Sequence, residues 1–273
     1  MTGSSSGFGL LTCVELAKRG FRVVASMRDL GRRAKLEQAA GSAEVGDRID
    51  ARQLDVTNFA AIPEFVEQLV RHYGRIDVLL NNAGFAVAGF IEDLKLDEIR
   101  AQFETNFFGH VAMTQAVLPT MRRQRSGRII MVSSIGGLHG SPTISSYSAS
   151  KHALEGWSES LRLEVNALGI KVVLVEPGSF QTDIWTRNAR IAEKAFTGAS
   201  LNRERGERMR DRIQSLPKKD PTSVARLIAR IAEEPNPKLR YMIGRDAHVQ
   251  LWMKRILPWK FYEKLIARAL KMD

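Results

Sequence analysis

The chain has 273 residues, 44% hydrophobic and 26% charged, a balance that folds into globular structure and a length that can bury one large α/β core. No apolar run reaches the ~18 residues that cross a bilayer, and the N-terminus lacks the basic-then-apolar order of a secretory signal. The lone Cys13 excludes an internal disulfide, so a reducing, cytoplasmic setting is expected, and the net charge of +11, with no zinc-ligand spacing or RNA-binding motif beside it, is read as surface charge rather than a nucleic-acid footprint.

The chain opens on a glycine-rich turn, Thr2-Gly3-Ser4-Ser5-Ser6-Gly7-Phe8-Gly9, and a helix through Leu10 to Arg19 that Gly20 ends. Apolar, β-branched runs then predict strands at Phe21 to Ala25, Ala51 to Leu54, Ile76 to Leu80, Gly127 to Val132 and Lys171 to Val175. The segments between them are long enough for helices. Such alternation predicts one α/β domain over residues 1–273, a doubly wound parallel sheet with ligands at the carboxyl ends of its strands. A glycine turn of this kind follows a strand, yet only Met1 precedes it. The first strand is therefore expected to be missing, from a truncated or mis-started chain, leaving unpaired backbone on its neighbours and uncovered helix faces.

Residues from about 182 to 217 are polar, Arg-rich and without strand signals, and read as an insertion over the site. The five histidines, His139 and His152 among them, lack metal-ligand spacing and are read as surface or loop residues, so no metal site is expected. The tail from about 248 to 273 interleaves apolar residues with Lys254, Arg255, Lys260, Lys264, Arg268 and Lys271. It is read first as a lid or subunit contact within a homo-oligomer, and second as an interfacial helix on an anionic membrane, which would make the protein membrane-peripheral.

At the glycine turn, Gly3, Ser5, Ser6, Gly7, Phe8 and Gly9 open a helix whose N–H groups can face a diphosphate. At the end of the next strand Met27 stands where an NAD site has its ribose-binding acid, and Arg28 offers a planar cation for a 2′-phosphate. NADP is expected over NAD, with Arg32 and Arg33 able to share the role. Asp55-Val56 and Asn81-Asn82-Ala83-Gly84 also lie at strand ends, the small residues of the second allowing backbone to approach a ligand closely.

Tyr147 and Lys151 are four apart, on one helix face, with Ser134 thirteen residues before Tyr147 at a strand end and Asn106 earlier still. Oxidation or reduction at a carbinol carbon needs a group that moves the hydroxyl proton; tyrosine, with a reference pKa of about 10, is expected to be brought towards working pH by the nearby Lys151 ammonium and the positive charge of oxidised nicotinamide. Ser134 would hydrogen-bond the substrate oxygen. This Asn, Ser, Tyr, Lys set, with the stretch from the glycine turn through Pro177-Gly178-Ser179-Phe180-Gln181-Thr182, resembles the short-chain dehydrogenase/reductase family over about two thirds of the chain. The resemblance implies that Asp55 and Val56 contact adenine and that Asn82, Ala83 and Gly84 line its ribose. It also implies that Lys151 holds the nicotinamide ribose, that Asn106 supports a water reaching Lys151, and that Pro177, Gly178 and Thr182 meet the nicotinamide end. Ser133-Ser134-Ile135-Gly136-Gly137-Leu138 and Ser150-Lys151-His152-Ala153-Leu154-Glu155-Gly156 resemble the branch acting on steroids, retinoids and other lipophilic alcohols. A small-molecule alcohol or carbonyl substrate is expected; a nucleotide sensor without turnover is the rival reading.

Overall fold

The structure, a computed structural model, describes all residues but 186–187, 197–199, 216–217 and 271–273. Pro217 at the insertion's far end and Lys271 of the tail lie outside the described residues.

Helix α1 (Gly7–Lys18) stops where Gly20 takes a φ of +89°, and the N–H of Phe21 closes back on Leu16 O at 3.1 Å. This glycine cap holds Phe21 in the turn, so β1 (Val23–Met27) begins two residues later than the apolar run suggests. Then follow α2 (Ala34–Ser42), β2 (Ile49–Gln53), α3 (Ala61–Tyr73), β3 (Val78–Asn81) and the short β4 (Ala86–Ala88). Helix α4 (Leu96–Phe103) passes through a π-helical turn (Glu104–Phe108) into α5 (Gly109–Gln124), followed by β5 (Gly127–Val132), α6 (Ser145–Val165) and β6 (Ile170–Pro177). The insertion carries β7 (Ala189–Ile191) and α7 (Arg203–Ser215); α8 (Thr222–Glu233), β8 (Arg240–Ile243), α9 (Arg245–Ile256) and α10 (Trp259–Leu270) complete the chain.

All strand pairs are parallel, in two blocks ordered β1-β2 and β3-β5-β6-β8. Met1 and Thr2 occupy the slot between the blocks: the N–H of Thr2 donates to Leu80 O at 3.0 Å on one side, and that of Ser26 to Met1 O at 2.9 Å on the other. The β-branched alternation of β6 feeds two cores at once. Val173 and Val175 pack with Leu16, Val224 and Ile228 of α1 and α8, while Val172 and Leu174 pack with Val66, Met121 and Leu161 of α3, α5 and α6. Helices thus cover both faces, as the doubly wound reading requires.

The insertion departs from its reading, because Ala189–Ile191 forms a strand, parallel to β4. Three residues show no periodicity of their own; the pairing partner makes the strand. The insertion's foot is also pinned, by Phe180 bridging Lys219 and the N–H of Gln181 donating to Lys219 O at 2.9 Å. Asp246 at the start of α9 accepts from Ser179 N at 2.6 Å and Lys219 Nζ at 2.5 Å.

Ile130 in β5 is fully buried between β3 and β6. Ile130→Ala should lower unfolding free energy by about 2–5 kcal/mol with little change in denaturant slope; in urea melts, a loss below about 1 kcal/mol would show that the site collapses around the deletion.

Candidate active site

The glycine turn is locked to the end of β3 by contacts that exclude side chains. A Cβ on Gly9 would lie 2.0 Å from Gly3 O, and one on Gly3, at φ +71°, would lie 2.7 Å from Ala83 Cα. Thr2 Oγ1 accepts from the N–H groups of Asn82 and Ala83, both at 3.0 Å, and Asn82 Nδ2 donates to the carbonyls of Thr2 and Gly3 at 3.0 Å. No side chain caps the start of α1 and no acid stands in its first turn. That positive helix end, open to the cavity, is what an anionic diphosphate fits.

The cavity above this turn measures about 330 Å³. The structure gathers there the turn residues Gly3, Ser5, Ser6, Gly7, Phe8 and Gly9; Arg28, Asp55, Val56, Asn82, Ala83 and Gly84; the tetrad Asn106, Ser134, Tyr147 and Lys151; and Pro177, Gly178 and Thr182. Gly109 lets α5 approach Val56, to whose Cγ2 an added Cβ would come within 2.9 Å. Asp55 Oδ1 accepts from Thr57 N at 3.0 Å, fixing that loop.

The reading of the β1 end needs correction. Met27 is buried in the core, and an acid does line the cavity two positions on: Asp29. Its carboxylate caps the following turn by accepting from Gly31 N at 2.9 Å and sits 3.6 Å from Arg32 Nε. Arg28 and Arg32 both line the cavity, whereas Arg33 pairs with Glu37 at 2.9 Å.

Asn106 is fully buried in the π-helical turn, where the hydrogen-bond ladder widens. Its side chain accepts from Phe85 N at 3.1 Å and donates to Phe85 O at 3.0 Å, clamping the segment after Gly84. Ser134 closes a turn by accepting from Gly136 N at 3.1 Å and hydrogen-bonds Tyr147. Lys151 Nζ donates to Val132 O at 2.8 Å and lies 5.9 Å from the centroid of the Tyr147 ring. Burial lowers the Lys151 pKa to about 8, against the attraction of Glu155. In the protein alone, burial pushes the Tyr147 phenol above its ordinary value, with the Ser134 hydrogen bond opposing; the lowering expected from Lys151 together with oxidised nicotinamide belongs to the cofactor-bound state.

One histidine, His110, departs from the surface-or-loop reading. His110 is fully buried on α5, its Nε2 2.8 Å from Ala83 O, and burial with the nearby Lys151 cation holds its pKa near 3, so the ring is neutral. His139 is buried in the loop after Ser134. Among the described residues no cluster could hold a metal.

Sequence reasoning missed the insertion's contribution. Ile184, Asn188 and Arg190 enter the cavity; Asn188 Nδ2 donates to Ser6 Oγ at 3.3 Å, and the Arg190 guanidinium lies 4.7 Å over the Phe85 ring. Behind the tetrad, Glu155 and Glu176 are buried and share Arg240, which also pairs with Glu159 at 2.5 Å.

The sequence model of the short chain dehydrogenase family matches residues 1–192. The chain is 41% identical over 273 residues to an uncharacterized oxidoreductase, YusZ, of Bacillus subtilis, covering 99% of this chain and 97% of that protein. It is 39% identical over 249 residues to a 3-ketodihydrosphingosine reductase of Bacteroides thetaiotaomicron, covering 89% and 86%. A crystallized short-chain dehydrogenase of Streptomyces avermitilis superposes with a TM-score of 0.81 at 34% identity, over 93% of this chain and 91% of that one.

Burial, then repulsion from Glu155, raises the Glu176 carboxyl above the ordinary range against the pull of Arg240. An acid with a raised folded-state pKa contributes stability fully below its unfolded value and loses it as pH rises through the folded value. Glu176→Gln should therefore gain stability relative to the parent between about pH 5 and about pH 8. Thermal melts across that range check this; a constant difference would mean that Glu176 does not titrate there.

Proposed function

The chain belongs to the short-chain dehydrogenase family, and on that footing we propose that it is an NADP(H)-dependent oxidoreductase interconverting a lipophilic alcohol with its ketone or aldehyde. The observation that carries this reading is the meeting of the Ser134–Tyr147 hydrogen bond, the buried Lys151 and the glycine cradle in one cavity. The cofactor, when bound, supplies or accepts the hydride. Its diphosphate is assigned to the turn from Gly3 to Gly9, its adenosine end to Asp55, Val56, Asn82, Ala83 and Gly84, and its nicotinamide end to Pro177, Gly178, Thr182 and Lys151.

Tyr147 is the proton-transferring group, donating to a carbonyl oxygen in reduction and accepting from a hydroxyl in oxidation. Ser134 Oγ steadies the same substrate oxygen as charge develops on it. Lys151 is anchored through Val132 O, so its ammonium cannot swing away from the phenol. Asn106, locked onto Phe85, keeps the helix widened beside Ser150, to whose Oγ its Nδ2 donates at 3.4 Å, and supports a water path to Lys151.

Preference for NADP over NAD is assigned to Arg28, with Arg32 beside it, because both cations line the cavity while the nearby Asp29 is held by its own turn. A lipophilic substrate is supported by the relative named as a 3-ketodihydrosphingosine reductase, and by Ile184 and Phe85 in the cavity wall.

Tyr147→Phe should cut turnover of a carbonyl panel by about 10²-fold or more while cofactor affinity stays within about twofold; retained turnover would refute the role. Lys151→Ala should impair both, and normal cofactor affinity in that variant would contradict its place at the ribose. Arg28→Ala should weaken NADPH by about 1–3 kcal/mol and NADH far less, read by fluorescence titration; equal losses would remove Arg28 from the 2′-phosphate.

A further inference from the structure

The two C-terminal helices are turned inside out relative to helices that merely pack on a fold. Their anchors are small in number: Ala247 of α9 and Tyr262 of α10 are buried. On α9, Val249, Trp252 and Ile256 recur at i, i+3 and i+7, on one helix face, and are 54%, 60% and 58% exposed. On α10, Trp259 and Phe261 are 61% and 63% exposed, and Leu265 follows one turn after Phe261. The reading of the tail as a lid that packs its apolar stripe on the fold does not describe these side chains. Large apolar groups grouped on consecutive surface helices mark an interaction surface.

The charge beside them selects the partner. Between Val249 and Leu270 the chain carries Lys254, Arg255, Lys260, Lys264 and Arg268 against a single acid, Glu263. That acid accepts from the Trp259 indole N–H at 2.6 Å. A second copy docked through the same face about a two-fold axis would set these cations against their own duplicates, which like-charge repulsion disfavours. An anionic bilayer satisfies both features: aliphatic and aromatic side chains enter the headgroup boundary, and lysines and arginines meet lipid phosphates.

The helices are also tied to segments adjoining the cavity lining. Lys254 Nζ donates to Leu138 O at 2.7 Å, in the loop after Ser134, and α10 touches α7 of the insertion, where Arg212 Nε donates to Ala269 O at 3.2 Å. Asp246 ties the start of α9 to Ser179, next to Gly178. We propose that α9 and α10 form a peripheral docking surface for anionic membranes, which brings the cavity to the bilayer from which a lipophilic substrate is drawn. Substrate delivery rests on the reading of the site as an oxidoreductase; docking does not.

The test is sedimentation of the full chain with vesicles of phosphatidylcholine alone or mixed with phosphatidylglycerol, alongside turnover of a water-soluble carbonyl. Binding to the mixed vesicles should exceed that to phosphatidylcholine by about tenfold and weaken as salt rises. Trp252→Ser with Phe261→Ser should abolish sedimentation, and Lys260→Glu with Lys264→Glu should erase the preference for the anionic vesicles, both keeping the turnover of the parent. Absence of sedimentation, equal binding to both vesicles, or light scattering that shows a dimer broken by the Trp252 and Phe261 substitutions would overturn the docking surface. Lipid binding without turnover in the parent would leave docking in place and sink the oxidoreductase reading instead.

Discussion

The contact between the glycine turn and the end of β3 sets the geometry of the whole cavity. Thr2 bonds through its backbone to Leu80 and through its hydroxyl to Asn82 and Ala83, while Met1 beside it meets Ser26 of the other sheet block. One short stretch thus joins the two blocks and fixes where the turn can go. Gly9 lies so close to Gly3 O that no side chain fits, which draws the start of α1 down onto the strand ends. The remaining elements of the site are positioned against this seam: Asn106 clamps the segment that leaves it, the His110 Nε2–H donates to its Ala83 carbonyl, and Thr182 arrives from the insertion beside Gly7.

Around the tetrad, burial outweighs local charge. It raises the Tyr147 phenol, lowers Lys151 and keeps His110 neutral. A buried ammonium without compensation is costly, and the compensation here is layered: Val132 O accepts its proton directly, and Glu155, one helical turn on, supplies negative charge. Glu155 is itself held by Arg240, which also binds Glu176, the residue just before Pro177. Strand β8 therefore reaches the helix that carries Tyr147 and Lys151, and the loop before the insertion, through one guanidinium.

The gathering of the candidate site residues in one cavity was the most legible part of the sequence because each position demands a residue type at a fixed spacing. Gly3 and Gly9 have no room for a side chain, Gly7 takes a φ of +53° that strains one, and Tyr147 and Lys151 must share a helix face. Other features obey partners that are distant in sequence. Strand β7 exists because β4 lies beside it, and the first residues of β1 were misplaced because the glycine cap after α1 holds Phe21. The burial of His110 was legible in its pattern: with Met113, Thr114, Val117 and Met121 it forms a stripe at helical spacing, whereas the absence of metal-ligand spacing says nothing about burial. The role of Asp29 required the turn geometry, since only the structure shows its carboxylate capping Gly31.

The pinned foot of the insertion has a consequence for how this fold can diversify. Phe180 and Lys219 bridge each other, and Asp246 holds both Lys219 and the backbone at Ser179, so the insertion leaves and rejoins the domain at one fixed point. Closing a longer excursion between such fixed ends costs little, about 0.6 kcal/mol for each doubling of its length. The segment can be exchanged or extended as a cassette, reshaping the wall that Ile184 and Arg190 contribute, while the turn from Gly3 to Gly9 keeps its grip on the strand ends. Grafting the stretch between Phe180 and Lys219 from one relative into another is thus a route to new selectivity, provided that the graft keeps a strand to pair with β4.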